Sequence, residues 1–145
     1  MTSTLVPGRP VLVISDDTAL HKRIRKTLRE LPLDAPGLPE PVDPALAQTA
    51  REGASMVGRA HRDGNLFGIA IVDRMDAASA AWSHDPTLPI LLIGRPDANT
   101  LSVSRPDRLL LLPPDSHSLT IQQAVLVLVG RAAAEHAIRV ELLEL

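Results

Sequence analysis

An α/β fold with a doubly wound parallel sheet is predicted by three features of this sequence. Short apolar runs at 11–14, 66–72, 89–93 and 109–112 lack polar alternation, as strands covered on both faces do. Segments with apolar residues at helical spacing lie between them, and strand–helix alternation favours parallel pairing. The runs end on Ser15-Asp16-Asp17, Asp73, Gly94 and Pro113-Pro114, and sites in such sheets form beyond the carboxyl ends of the strands.

Val11–Ile14 reads as a buried first strand. A helix follows from Thr18 to about Leu31, with Leu20, Ile24, Leu28 and Leu31 on one stripe and Asp17 or Thr18 as its cap. The stretch 31–44 holds five prolines. Proline removes ladder donors, so an edge strand or an irregular crossover is expected there. Asp43 is expected to cap, and Pro44 to open, a second helix running to about Arg62. Its apolar stripe is Leu46, Ala50, Ala54 and Val57, interrupted by Gly53 and Gly58.

The turn Asp63-Gly64-Asn65 leads into the clearest strand, Leu66–Val72, which ends at Asp73. A short helix is expected at Ala77–His84, a fourth strand at Pro89–Ile93 and a fifth at Leu109–Leu112, stopped by Pro113-Pro114. Residues 95–107 are polar and turn-rich, with at most a helical turn. From Leu119 to Leu145 one long helix is expected, with a kink at Gly130. At about 1.5 Å per residue it reaches about 40 Å, more than a domain of this size needs.

Composition narrows the function classes. At 145 residues the chain fits one domain, taken as 1–130 with 131–145 as a helical extension. One Phe, one Trp, no Tyr and a net charge of −2 speak against nucleic-acid binding, which needs stacking platforms or a basic field. The absence of cysteine removes disulfides, thiolate metal sites and thiol catalysis. No secretory leader or membrane span is read in the sequence, so a cytoplasmic protein is expected. His21, His61, His84, His117 and His136 form no metal-ligand spacing, and no nucleophile–base pair is placed by sequence. An independent enzyme is therefore not expected. His21, Lys22, Arg23, Arg25, Lys26 and Arg29 make the first helix basic, read as a solvated face or a docking face for an acidic partner or anionic ligand.

The pieces VLVISDDTALHKRIRKTL, GNLFGIAIVDRMD, LPILLIG and DRLLLLPPDSHSLTIQQAVLVLV, in that order, resemble the receiver domain of response regulators in two-component signalling. Those around Asp73 and Arg108 look most like receivers of hybrid sensor proteins. The resemblance covers most of the chain. It implies a five-stranded parallel sheet in a flavodoxin-like three-layer sandwich, here with shortened third and fourth helices and an extended C-terminal helix.

It also implies a chemistry. In the family a carboxylate after the third strand accepts a phosphoryl group beside Mg²⁺, and a Lys and a Ser or Thr grip the phosphoryl oxygens. By position, Asp73 matches the acceptor, Asp16 a direct metal ligand and the Met75 backbone carbonyl a further one. The preceding acidic position holds Ser15, with Asp17 as a partial substitute. Gly94 replaces the hydroxyl residue, and Leu112-Pro113-Pro114 replaces the Lys-Pro pair, so three of five functional positions have lost their chemistry.

The reading that follows is a degenerate receiver regulating by protein contact with a histidine kinase or an output domain. It needs no cofactor and retains at most weak Mg²⁺ binding at Asp16, Asp73, Met75 and Asp17. Two alternatives stand beside it: a working receiver phosphorylated at Asp73 with Mg²⁺, and a sensor of small molecules or cyclic dinucleotides. Ala134, Ile138, Leu142 and Leu145 form a stripe expected to make a homodimer or a coiled-coil linker.

Overall fold

The computed structural model describes residues 10–30, 44–94 and 108–130. Five parallel strands form one sheet: β1 (Val11–Ile14), β2 (Ala45–Ala47), β3 (Ile69–Val72), β4 (Ile90–Ile93) and β5 (Leu109–Leu112), in the order β2-β1-β3-β4-β5. Four helices accompany them among the described residues: α1 (Thr18–Arg29), α2 (Ala50–Asp63), α3 (Met75–Trp82) and α4 (118–130).

The apolar runs behave as their composition requires. β1, β3 and β4 are buried along their whole length, because successive side chains point to opposite faces and both faces are covered. Val11, Val13, Ile69, Ile71, Leu91 and Ile93 pack with Leu20, Ile24 and Leu28 of α1 and with Ile121, Val125 and Leu128 of α4. The alternate residues Leu12, Ile14, Ala70, Val72, Ile90 and Leu92 pack with Val57 of α2 and with Ala78, Ala81 and Trp82 of α3. Register follows: Ile71 lies between Val13 and Leu91. The segment AVLVLV, strand-like in isolation, is helical, and Ile121, Val125 and Leu128 recur at the spacing of one buried face. Gln122 Nε2 donates to the Thr27 carbonyl at 3.0 Å and ties α4 to α1.

The start of the second helix corrects the sequence reading. Asp43-Pro44 does not open it. Residues 45–47 form β2, paired through Leu12–Ile14 to β1 alone, and the helix begins at Ala50. An edge strand needs a ladder on one side only, so three residues directly after the proline-rich stretch suffice. The cap is Thr49, whose Oγ1 accepts from Glu52 N at 3.0 Å, while Glu52 Oε2 accepts from Gln48 N at 3.2 Å. Leu46 therefore belongs to the sheet and not to a helical stripe.

Gly53 and Gly58, read as interruptions, are where α2 comes close to its neighbours. A Cβ on Gly53 would collide with Ile14 Cδ1, and one on Gly58 would lie 2.9 Å from His84 Nδ1. Gly64 ends the helix at φ +76, a conformation that favours glycine. The third helix is short, at eight residues. Its bounds, Met75–Trp82, start two residues earlier and end two earlier than expected. β3 begins at Ile69, three residues later than expected. The segment 95–107, where at most a helical turn is expected, Leu31, and the extension 131–145 with Ala134, Ile138, Leu142 and Leu145 lie outside the described residues. Among the described residues no helix is long and apolar enough to cross a membrane.

Candidate functional site

From β1 the chain crosses to β2 on one side, then returns to β3 on the other, so the strand order reverses between β1 and β3. Loops diverging at such a reversal leave a crevice at the strand ends. Here the crevice is a cleft of about 340 Å³ bordered by Ser15 and Asp16 after β1, Gln48, Thr49 and Arg51 at the β2–α2 turn, and Asp73, Arg74 and Asp76 at the β3–α3 turn.

Ser15 is its best-fixed member. It is 3 % exposed, and its backbone N–H donates to Ala47 O at 3.0 Å, prolonging the β1–β2 ladder. Its hydroxyl donates to Asp73 Oδ2 at 2.6 Å and accepts from Asp17 N at 3.0 Å. A hydroxyl can do both at once. A 2.6 Å contact onto a carboxylate lies in the range of charge-assisted bonds. Asp73 is half-buried, while Asp16 is exposed and lines the same cleft.

The other predicted positions are placed differently. Asp17 does not line the cleft. Its Oδ1 accepts from Ala19 N at 2.9 Å and from Leu20 N at 3.4 Å, which makes it the cap of α1. Met75 opens α3 with its side chain buried in the core and is not among the lining residues. Gly94 donates its N–H to Leu112 O at 2.9 Å and lies against the back of Asp73: a Cβ there would come within 2.8 Å of the Asp73 carbonyl oxygen. Both the hydroxyl and the space for it are therefore missing. Pro113 and Pro114 are exposed; Ser116 bonds back to Pro113 O, and Arg23 Nη1 donates to Pro114 O at 3.2 Å.

Arg51 and Arg74 border the cleft without standing out in the sequence. The signal for them is adjacency to strand ends, plain for Arg74 after Asp73 but hidden for Arg51 as long as 45–47 reads as helix. Arg74 Nη2 meets Asp76 Oδ2 at 2.9 Å. Both side chains are more than half exposed, and such pairs contribute about 0–1 kcal/mol.

The residues present fit a Mg²⁺ site poorly. Mg²⁺ takes octahedral oxygen ligands, usually one or two carboxylates among them. Of the predicted carboxylates only exposed Asp16 and the second oxygen of Asp73 are left for a cation, since Ser15 holds Asp73 Oδ2 and Asp17 is turned to its helix. Among the described residues no group of three or more His, Cys, Asp or Glu is positioned to hold a metal ion.

No family model matches the sequence, and no curated protein does. A response regulator receiver protein from Sinorhizobium medicae WSM419 superposes with a TM-score of 0.62 at 20 % identity, covering 86 % of this chain and 96 % of its own. A response regulator receiver domain protein from Clostridium thermocellum gives 0.64 at 14 % identity with the same coverage of 86 % and 96 %. At these identities the likeness is one of fold. The strand order, the all-parallel pairing and these two superpositions together show that the chain has the fold of response-regulator receiver domains.

Proposed function

We propose that this chain is a non-enzymatic signalling module of the receiver type, which acts through contact with a partner protein and does not take up a phosphoryl group on Asp73. The observation that carries this reading is the state of Asp73 and its surroundings. The carboxylate is bonded to Ser15, Gly94 offers no hydroxyl, and the loop after β5 is Pro113-Pro114. Phosphoryl transfer is mostly positioning and charge stabilisation, so a site missing both gripping groups loses orders of magnitude in rate. In this reading the partner is a kinase or an output domain, and the protein is cytoplasmic.

Incubation with Mg²⁺ and acetyl phosphate tests it. Intact-mass measurement should show the unmodified protein, identical to Asp73→Asn. A phosphoryl increment in the wild type that is lost in Asp73→Asn favours the working receiver instead. Self-association through the stripe Ala134, Ile138, Leu142 and Leu145 belongs to the same reading. Removing residues 131–145 should convert a dimer to a monomer by light scattering; an unchanged mass would exclude that segment as the interface.

A further inference from the structure

We infer that the Ser15 hydroxyl takes the place of a bound cation at this strand-end site. In this role it ties the ends of β1 and β3 together without metal, and a carboxylate at position 15 would make the site metal-dependent. The inference deepens the reading above and rests on the same cleft.

A carboxylate partly withdrawn from water is stabilised by hydrogen bonds or by opposite charge. Asp73 receives the first kind, from a neutral donor that is itself 3 % exposed and so has little access to water. The hydroxyl is held from its other side by Asp17 N, which fixes its orientation. Asp17 is in turn fixed by capping α1. The chain thus runs from the α1 N-terminus through Ser15 to Asp73 using only the protein's own groups. Asp16 is exposed on the rim of the same cleft.

Replacing Ser15 by Asp exchanges the donor for a second acid beside Asp73. Two carboxylates that close repel and resist ionising together. With Asp16 on the same rim, a divalent cation would then relieve the repulsion and bind the folded state selectively, raising apparent stability by mass action. The wild type has less repulsion to relieve, because a neutral hydroxyl stands beside Asp73 and Asp16 lies exposed on the rim.

The test compares thermal unfolding of wild type, Ser15→Ala and Ser15→Asp in EDTA and in millimolar MgCl₂. The wild-type midpoint should be the same in both. Ser15→Ala should melt lower and remain indifferent to Mg²⁺. Ser15→Asp should melt lower in EDTA and recover with Mg²⁺. A wild-type midpoint that rises with Mg²⁺, or a folded Ser15→Asp that ignores Mg²⁺, overturns the inference.

Should Ser15→Asp not fold, Mn²⁺ added to the labelled wild type decides. Amide signals of residues 15–17 and 73–75 should broaden no more than those of other exposed acids; selective broadening there overturns the inference. None of these measurements uses a phosphodonor. A wild type that ignores Mg²⁺ yet becomes phosphorylated defeats only the proposed function, and one that binds Mg²⁺ yet stays unmodified defeats only this inference.

Discussion

Trp82→Ala is expected to lower the unfolding free energy by about 3–5 kcal/mol, the range for removing a buried aromatic from a core. Trp82 closes α3, is 6 % exposed and packs among Leu88, Leu92 and the other residues on the α2/α3 side of the sheet. Its Nε1 donates to the Leu88 carbonyl at 2.8 Å inside the core. Truncation leaves both a cavity and an unsatisfied carbonyl, and the latter alone costs about 1–3 kcal/mol. An eight-residue helix has little stability of its own, so α3 depends on this anchor to stay folded behind Asp73. Urea unfolding followed by far-UV circular dichroism measures the effect, since the variant loses the only Trp. Trp82→Phe should recover most of the loss. A cost below about 1 kcal/mol for the alanine variant would mean that the α3 layer is not packed as described.

Gly94→Ser, the substitution that would return a hydroxyl to the end of β4, is expected to destabilise by about 1–3 kcal/mol, as overpacking does, and to confer no phosphoryl uptake. The obstacle is backbone. The new Cβ would meet the Asp73 carbonyl oxygen at 2.8 Å, and neither side can yield easily. β4 is held at this end by Gly94 N donating to Leu112 O and by the pairing of Ile93 with Leu112. β3 is held between β1 and β4. Relief requires the strand ends to part, which also displaces Asp73. Urea unfolding gives the stability, and mass measurement after acetyl phosphate treatment gives the chemistry. A stable Gly94→Ser that gains a phosphoryl group would show that a single lost hydroxyl had silenced the site.

Most of the sheet was legible because its central strands are buried on both faces. Unbroken apolar runs such as IAIV and ILLI leave few other options inside 145 residues. β2 was not legible. Three residues, Ala-Leu-Ala, carry no strand preference, and their pairing to Leu12–Ile14 is a tertiary fact. Asp43-Pro44 reads as a helix start in the sequence, and that Thr49 and Glu52 form the cap instead is a fact of the structure.

At the site, the identities of Ser15, Asp16 and Asp73 at strand ends were enough to bring them together on paper. What Asp17 does was not, because an Asp at a helix entrance serves equally as ligand or cap until its rotamer is known. At Gly94 the sequence shows a missing hydroxyl; that the strand end leaves no room for one depends on a spacing of strands that composition does not encode.

Beryllofluoride, a mimic of a bound phosphoryl group, addresses the central claim most directly. Amide spectra of the wild-type protein with Mg²⁺ should be unchanged on its addition, and should match the response of Asp73→Asn. Shifts centred on Asp73 and spreading to Gly94 and Leu112, absent in Asp73→Asn, would contradict the account.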